Sequence, residues 1–306
     1  MQLIPQTPQA IALRDPLAEY AKSFISNQSC ENSKQTYAQE ISLFYRKIRK
    51  RADEVTLHDL LNYKESLTVR GLKAATIAKK LTVLRRLFTF LYEQGVIPTN
   101  PSAGIKLPKV SNETVRGILT LAECNQFLSS IDASTNLGKR DKAICALLLI
   151  NGIRLCEVAR ANIGDLSEVN GLKVLRIRGK GGKNIDTRMR DDVYAVIQSY
   201  LKTRSSLKTS DPLFIGTNHT AKDRIARRTI QHMVRLRLKR IGINRPNISV
   251  HSLRHSSITH LINGGASLIA AADFARHSNP NTTQRYFHNL ERLKNSAVML
   301  QPIRVD

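Results

Sequence analysis

Six side chains in the second half of the chain have the types that phosphodiester chemistry needs: Arg154, Lys180, His251, Arg254, His277 and Tyr286. A guanidinium is a planar fork of N–H donors, so two arginines can grip the non-bridging oxygens of one phosphate. Two histidines and a lysine can move protons or donate hydrogen bonds, and a tyrosine oxygen can serve as a nucleophile. A phenol ionises only near pH ~10, so Tyr286 would need cationic help to attack at neutral pH. Two arginines and an imidazole around a phosphate could supply it. Such a set can break a phosphodiester bond without a metal.

Each residue also has a plainer reading. Arg154 and Glu157, three positions apart, would by themselves be a helix-surface ion pair of ~0.2–0.5 kcal/mol. Lys180 lies in Gly179-Lys-Gly-Gly-Lys183, where a solvated hairpin tip is the ordinary fate of a lysine. A nucleotide-binding P-loop would need Ser or Thr after its lysine, and Asn184 follows Lys183. His251 and Arg254, one helical turn apart, put a protonatable group and a fork donor on one face. His251 and His255 have zinc-like spacing, but Ser252 stands where the Glu of H-E-x-x-H belongs, so phosphate is preferred to metal. His255 and His260 are read as structural. His277 before a turn and Tyr286 on a helix would alone be a surface residue and a core residue. Tyr92, Tyr194 and Tyr200 lack comparable neighbours.

These side chains need a scaffold, and the chain punctuates one clearly. Residues 14–95 read as helical. Tyr37, Ile41, Phe44 and Ile48 recur at helical spacing, and Thr56 with Asp59 forms a capping box. From Lys73 to Gln94, Ile77, Leu81, Leu84, Phe88 and Leu91 make one apolar stripe, with Lys79, Lys80, Arg85 and Arg86 off it. Those four cations are expected either as solvated surface or as phosphate contacts. Pro98, Pro101, Gly104 and Pro108 then break the pattern, as in a linker. The expected organisation is an extension over 1–13, a helical domain over 14–97, a linker over 98–116 and a second domain over 117–306.

In the second domain, Thr120 and Glu123 form another capping box ahead of Leu121, Phe127 and Ile131. Lys142–Ile150 reads as a buried helix halted at Asn151-Gly152. Val174–Arg178 and Ile185–Met189 alternate about the glycine-rich turn, a β-hairpin signature. Thr229–Ile241 returns to helix with Ile230, Val234, Leu238 and Ile241 inward. His251–Asn263 is helical and closes at Gly264-Gly265, and a last helix is expected over Leu290–Leu300. The fold class is therefore mainly α with a small β-sheet.

Composition narrows the partner. The formal net charge is +24 on 306 residues, with 48 Lys and Arg against 24 Asp and Glu. The surplus is +8 over residues 1–110 and +16 over 111–306, so both halves contribute to the attraction of a polyanion, nucleic acid before anionic membrane. No apolar run approaches the ~20 residues that span a bilayer, and Met1–Ala12 lacks the basic start of a signal peptide. Cys30, Cys124, Cys145 and Cys156 form no CxxC pair and are expected as free thiols in a reducing cytosol.

Taken in order, the boxes resemble the tyrosine recombinase family, which includes phage integrases and Xer-like site-specific recombinases. Gly152-Ile-Arg154-Leu-Cys-Glu157 is similar to its first-arginine box, usually Gly-Leu-Arg-x-x-Glu. Lys180 rather than Lys183 aligns with its lysine, and His251-Ser-Leu-Arg254 with its His-x-x-Arg. His277-Ser278, Thr282-Thr283 and Tyr286 match its His-Ser…Thr-Thr…Tyr box. Arg276 departs from the family, which usually has Gly before that histidine. Asn100–Lys109 resembles the family's interdomain junction, and the likeness runs over about 15–300.

The resemblance implies an all-α core-binding domain and a catalytic domain that clamp double-stranded DNA. Tyr286 would form a 3′-phosphotyrosyl link, Arg154 and Arg254 would neutralise the transition state, and His251 and His277 would assist by hydrogen bonds. Lys180 would protonate the leaving 5′-oxygen, and Glu157 would buttress the site. No cofactor, metal or ATP is implied. It also implies a homotetramer acting through a Holliday junction in the cytoplasm, with room for an accessory protein or partner recombinase. The role would be integration, excision or resolution of a mobile element or replicon. A non-catalytic DNA-binding regulator and a type IB topoisomerase-like nicking-closing enzyme remain as alternatives.

Overall fold

The computed structural model describes residues 16–28, 31–110, 117–178, 184–216, 223–277, 279 and 283. Cys30, Lys180, Tyr286 and the helix expected over Leu290–Leu300 lie outside the described residues. The chain divides into two compact units, Met1–Thr114 and Val115–Asp306.

The first unit is helical: α1 (Pro16–Ser26), α2 (Glu31–Ile48), α3 (Leu57–Val69) and α4 (Ala74–Glu93). The apolar stripes explain its assembly. Ile41 and Phe44 of α2, Leu60 and Tyr63 of α3, and Leu84, Leu87 and Phe88 of α4 are buried together. Phe44 meets Tyr63 edge-on at 5.1 Å and Phe88 at 6.0 Å. Truncating one such ring to Ala costs roughly 3–5 kcal/mol. The Thr56 hydroxyl accepts from the Asp59 amide, and Asp59 accepts from the Thr56 amide at 2.9 Å, closing the capping box that starts α3.

Two features modify the reading from sequence. Lys80 is not a solvated cation: it pairs with Glu40 of α2, and both side chains are largely buried. Arg86 donates to the Tyr37 hydroxyl at 2.6 Å. In the proline-rich stretch, Ile97 and Ile105 are buried in the core of this same unit, and a Cβ on Gly104 would stand 3.0 Å from Leu57.

The second unit mixes helices with one small sheet. In order it contains α5 (Leu121–Ser129), α6 (Asn136–Leu149), α7 (Leu155–Arg160), β1 (Leu166–Val169), β2 (Leu172–Arg178) and β3 (Asn184–Arg188). There follow α8 (Asp191–Leu201), α9 (Arg227–Arg240), α10 (Val250–Asn263) and α11 (Leu268–Phe274). The sheet is antiparallel in the order β1-β2-β3, with Leu175 opposite Thr187 and Ile177 opposite Ile185. β2 and β3 are the expected hairpin. β1 was not anticipated, although Asn170-Gly171, with φ of 50° and 76°, is the two-residue loop whose positive dihedrals match the twist of paired strands.

α6 is the centre of this unit. Ala143, Ile144, Cys145 and Leu147 are fully buried within a core that also takes in Phe127, Val158, Leu175, Ile197, Val234 and Leu253. The helix starts six residues before the stretch expected, where the Thr135 hydroxyl accepts from the Gly138 amide at 3.0 Å. Asp141 joins α6 to α9 by accepting from Arg140 at 2.8 Å and from Arg237 at 2.5 Å. Leu121 does not share the burial of Phe127 and Ile131. As the first residue of α5 it is 62% exposed, because the inward side of this short helix is occupied by Cys124 and Phe127. His260 meets the Leu119 carbonyl at 2.8 Å, and the Ser256 hydroxyl accepts from the Leu119 amide at 2.8 Å, so both tie α10 to the segment entering α5.

Candidate active site

The site begins where α6 stops. Gly152 has φ of +56°, a conformation that penalises a side chain, and a Cβ there would lie 2.8 Å from Phe274 Cε1 of α11. Two independent constraints thus require glycine at this turn. The turn delivers Arg154 to the N-terminal cap of α7 in extended geometry. Its amide donates to Glu157 Oε2 at 2.8 Å and its Nη1 to Glu157 Oε1 at 2.9 Å. Nη2 reaches the carbonyls of Arg276 at 3.0 Å and Ala275 at 3.3 Å.

Arg254 approaches from α10. It is 6% exposed, and its guanidinium donates to the Gly152 and Ala275 carbonyls. Its Nη2 also lies 3.5 Å from His277 Nε2. His277 is held by its amide on Ala272 O at 3.0 Å and by Nδ1 against the Thr283 hydroxyl at 2.8 Å. Three stretches remote in sequence therefore converge, with Arg154 and Arg254 sharing the Ala275 carbonyl. His251 is exposed on α10, one turn before Arg254. Lys180, between β2 and β3 in sequence, and Tyr286 lie outside the described residues.

One buried carboxylate balances this positive cluster. Burial alone would raise the Glu157 pKa, but the charge of Arg276 and the hydrogen bonds and charge of Arg154 outweigh it and hold the carboxyl below its ordinary range. Arg276 is the residue that reasoning from sequence did not place in the site. It donates to Glu157 Oε2 at 2.9 Å, and burial lowers its own pKa against the opposing pull of Glu157. The signal that pointed to it was its departure from the glycine usual at this position. Chemically, guanidinium donors fixed in a partly desolvated pocket suit a substrate that gains negative charge during reaction. Among the described residues, no three His, Cys, Asp or Glu side chains come together as a metal site.

An α-helical unit followed by a helical unit with a three-stranded sheet is the architecture of the tyrosine-type DNA recombinases that the chain matches. Residues 118–292 match the model of the phage integrase family, and residues 17–95 match that of the phage integrase N-terminal SAM-like domain. Tyrosine recombinase XerD of Vibrio cholerae is 32% identical over 249 residues, covering 80% of each chain. Tyrosine recombinase XerC of Haemophilus influenzae is 33% identical over 221 residues, covering 72% of each. The fold is shared with the XerH site-specific recombinase bound to a palindromic difH substrate in a post-cleavage complex. That match has a TM-score of 0.74 at 20% identity, over 95% of this chain and 98% of that one. The Tn1549 transposon integrase in complex with circular intermediate DNA gives 0.71 at 20% identity, over 92% and 98%. The chain belongs to the phage integrase family of tyrosine recombinases, and it is an enzyme of the site-specific recombinase class.

Proposed function

We propose that this chain cuts and rejoins double-stranded DNA at specific sites, with Tyr286 as nucleophile and Arg154, Lys180, His251, Arg254 and His277 as its catalytic set. The observation that carries the reading is the meeting of Arg154 and Arg254, 100 positions apart in sequence, on the one carbonyl of Ala275, with His277 Nε2 3.5 Å from Arg254. Two of these groups are obligate cations and the third can donate a hydrogen bond. A phosphate oxygen is the ligand such donors favour.

In this reading the scissile phosphate sits between the two guanidinium forks. The Tyr286 hydroxyl releases its proton to solvent as its oxygen attacks phosphorus, the bond to the 5′-oxygen breaks, and Lys180 supplies the proton that makes the leaving group a 5′-hydroxyl. Arg154 and Arg254 neutralise the charge of the five-coordinate transition state, while His251 and His277 donate hydrogen bonds to its oxygens. Attack by the 5′-hydroxyl of another strand reverses these steps. The phosphotyrosyl ester keeps the bond energy, so ATP is not consumed.

The surplus of +24 gives the electrostatic part of duplex binding, and affinity should fall steeply with salt. Residues 14–97 are proposed as the core-binding domain and 117–306 as the catalytic domain, joined by 98–116 and assembled as a homotetramer on two DNA sites in the cytoplasm. Among the described residues, no helix is long and apolar enough to cross a membrane.

A nicked suicide duplex tests the proposal. It should be built on the sequence that the wild-type chain selects from a random pool. A protein–DNA adduct stable to denaturant is expected with wild type, with or without EDTA, and none with Tyr286→Phe. An adduct from Tyr286→Phe, or its loss on chelation, overturns the mechanism.

A further inference from the structure

Arg276 has φ of +49°, in the left-handed region that a residue with a side chain occupies only when its surroundings insist. Its side chain is just 5% exposed. Besides Glu157 at 2.9 Å, the guanidinium reaches the carbonyls of Phe274 at 3.3 Å and Gly152 at 3.4 Å and the Thr187 hydroxyl of β3 at 3.4 Å. Its Nε has no hydrogen-bond partner among the described residues. A buried third guanidinium beside Arg154 and Arg254, on an unfavourable backbone and incompletely satisfied, is a costly arrangement for mere filling of space.

The geometry points to Arg276 as a positioning residue: it occupies the second oxygen of Glu157 and thereby keeps Arg154 aimed at the phosphate. This rests on the proposed role of Arg154. Glu157 Oε1 takes Arg154 Nη1, while Oε2 takes Arg276 Nη2 and the Arg154 amide. The Arg276 carbonyl receives the other arm of the Arg154 fork at 3.0 Å. With Oε2 shared in this way, Arg154 stays single-pronged on Glu157. Without Arg276, the carboxylate is free to draw both prongs into the bidentate pair that arginine and carboxylate favour. Charge follows the same logic. An isolated Arg154–Glu157 pair is neutral, whereas the trio with Arg276 keeps one net positive charge beside the proposed phosphate.

The charged groups arranged about this carboxylate are Arg154 from the start of its own helix and Arg276 from the turn after α11, with Asp273 acting on Arg276. Replacing Arg276 with a neutral side chain removes the largest of the influences that lower the Glu157 carboxyl, so Glu157 takes up a proton at higher pH than in wild type, and above that pH the carboxylate draws in both prongs of Arg154. The test is single-turnover adduct formation on the suicide duplex from pH 5 to pH 9 by wild type, R276M, R276K and R154A, with thermal unfolding measured alongside. R276M keeps the stem and the backbone demand but loses the charge. Its rate at neutral pH should fall roughly 10- to 100-fold, the scale of a slight misplacement of a catalytic group. Its acid limb should also move to higher pH. R276K keeps the charge and should hold the acid limb where wild type has it.

Wild-type rate and pH profile in R276M overturn the inference, as do R276K and R276M that are equally slow with an unmoved acid limb, which marks a packing role. If R276M fails to unfold cooperatively, R276Q, neutral but able to donate to the same carbonyls, is judged by the same criteria. R154A as fast as wild type removes the phosphate-binding role of Arg154 and this inference with it. R154A inactive beside a fully wild-type R276M defeats the inference alone.

Discussion

Substituting Gly152 by Ala should damage stability and cleavage together, by amounts that the turn itself sets. The φ of +56° costs an L-residue roughly 1–2 kcal/mol. The new methyl would stand 2.8 Å from Phe274 Cε1 and 3.1 Å from Cζ, well inside the ~3.5–4.0 Å of an ordinary carbon contact. Phe274 is a rigid ring on α11, so the strain of overpacking, typically ~1–3 kcal/mol, adds to the backbone term. The total is about 2–5 kcal/mol, or a fall in Tm of about 4–20 °C for a unit of this size.

The same displacement moves the Gly152 carbonyl, which receives Arg254, so adduct formation should drop about 10- to 100-fold in the protein that remains folded. Gly171 provides the control. Its φ is +76°, but no atom of the described residues lies within 4 Å of a Cβ there, so G171A should show only the backbone term and wild-type cleavage. Calorimetry of the full chain and suicide-duplex kinetics read both effects. If G152A and G171A melt alike and cleave alike, the close approach to Phe274 is not what requires glycine, and the reasoning fails.

Other outcomes follow from the same geometry. Arg254→Lys leaves one point charge where a fork serves two carbonyls, so adduct formation should fall by at least ~100-fold with folding retained; a rate near wild type would remove Arg254 from the site. Ser256→Ala orphans the buried Leu119 amide and should cost about 1–3 kcal/mol in urea unfolding with no change in cleavage per folded molecule. In the first unit, burial acting alone would raise the Asp59 carboxyl. Hydrogen bonds from Lys50 and from the Thr56 amide and hydroxyl instead bring it down to about 2 from an ordinary 3.8. A depressed carboxyl stabilises the fold above the unfolded value, so this contribution is complete above pH 3.8 and disappears as pH falls through about 2. Asp59→Asn should flatten that acid dependence in a pH series of denaturation midpoints, and an unchanged slope would argue against it.

Much of the scaffold was legible because its determinants are local. The stripe of α4, the inward residues Ile230, Val234 and Leu238 of α9 and the two capping boxes involve residues within a turn or two of one another, and each is found as expected. The β2–β3 hairpin follows from alternation alone. β1 has its own local signal in the two-residue turn Asn170-Gly171. Leu121 is exposed because it stands at the first position of a short helix whose inward side is taken by Cys124 and Phe127. Lys80 was ambiguous because nothing near it in sequence announces Glu40, forty positions away on another helix.

The candidate site divides along the same line. Residue types and order suggest phosphate chemistry, and helical spacing puts His251 and Arg254 one turn apart on α10. Sequence could not tell that the Gly152 carbonyl would take Arg254 from 102 residues away, or that the Arg276 carbonyl would take Arg154 from 122 residues away. Those meetings depend on α6 stopping at Gly152 against Phe274 and on α10 crossing the turn after α11, which is decided only when the core closes. Nor could sequence show that Arg276 would turn inward: its left-handed backbone and its carboxylate partner are products of packing. Side-chain chemistry and helical period are written in the order of residues, but which distant backbone atoms become acceptors is settled by the fold.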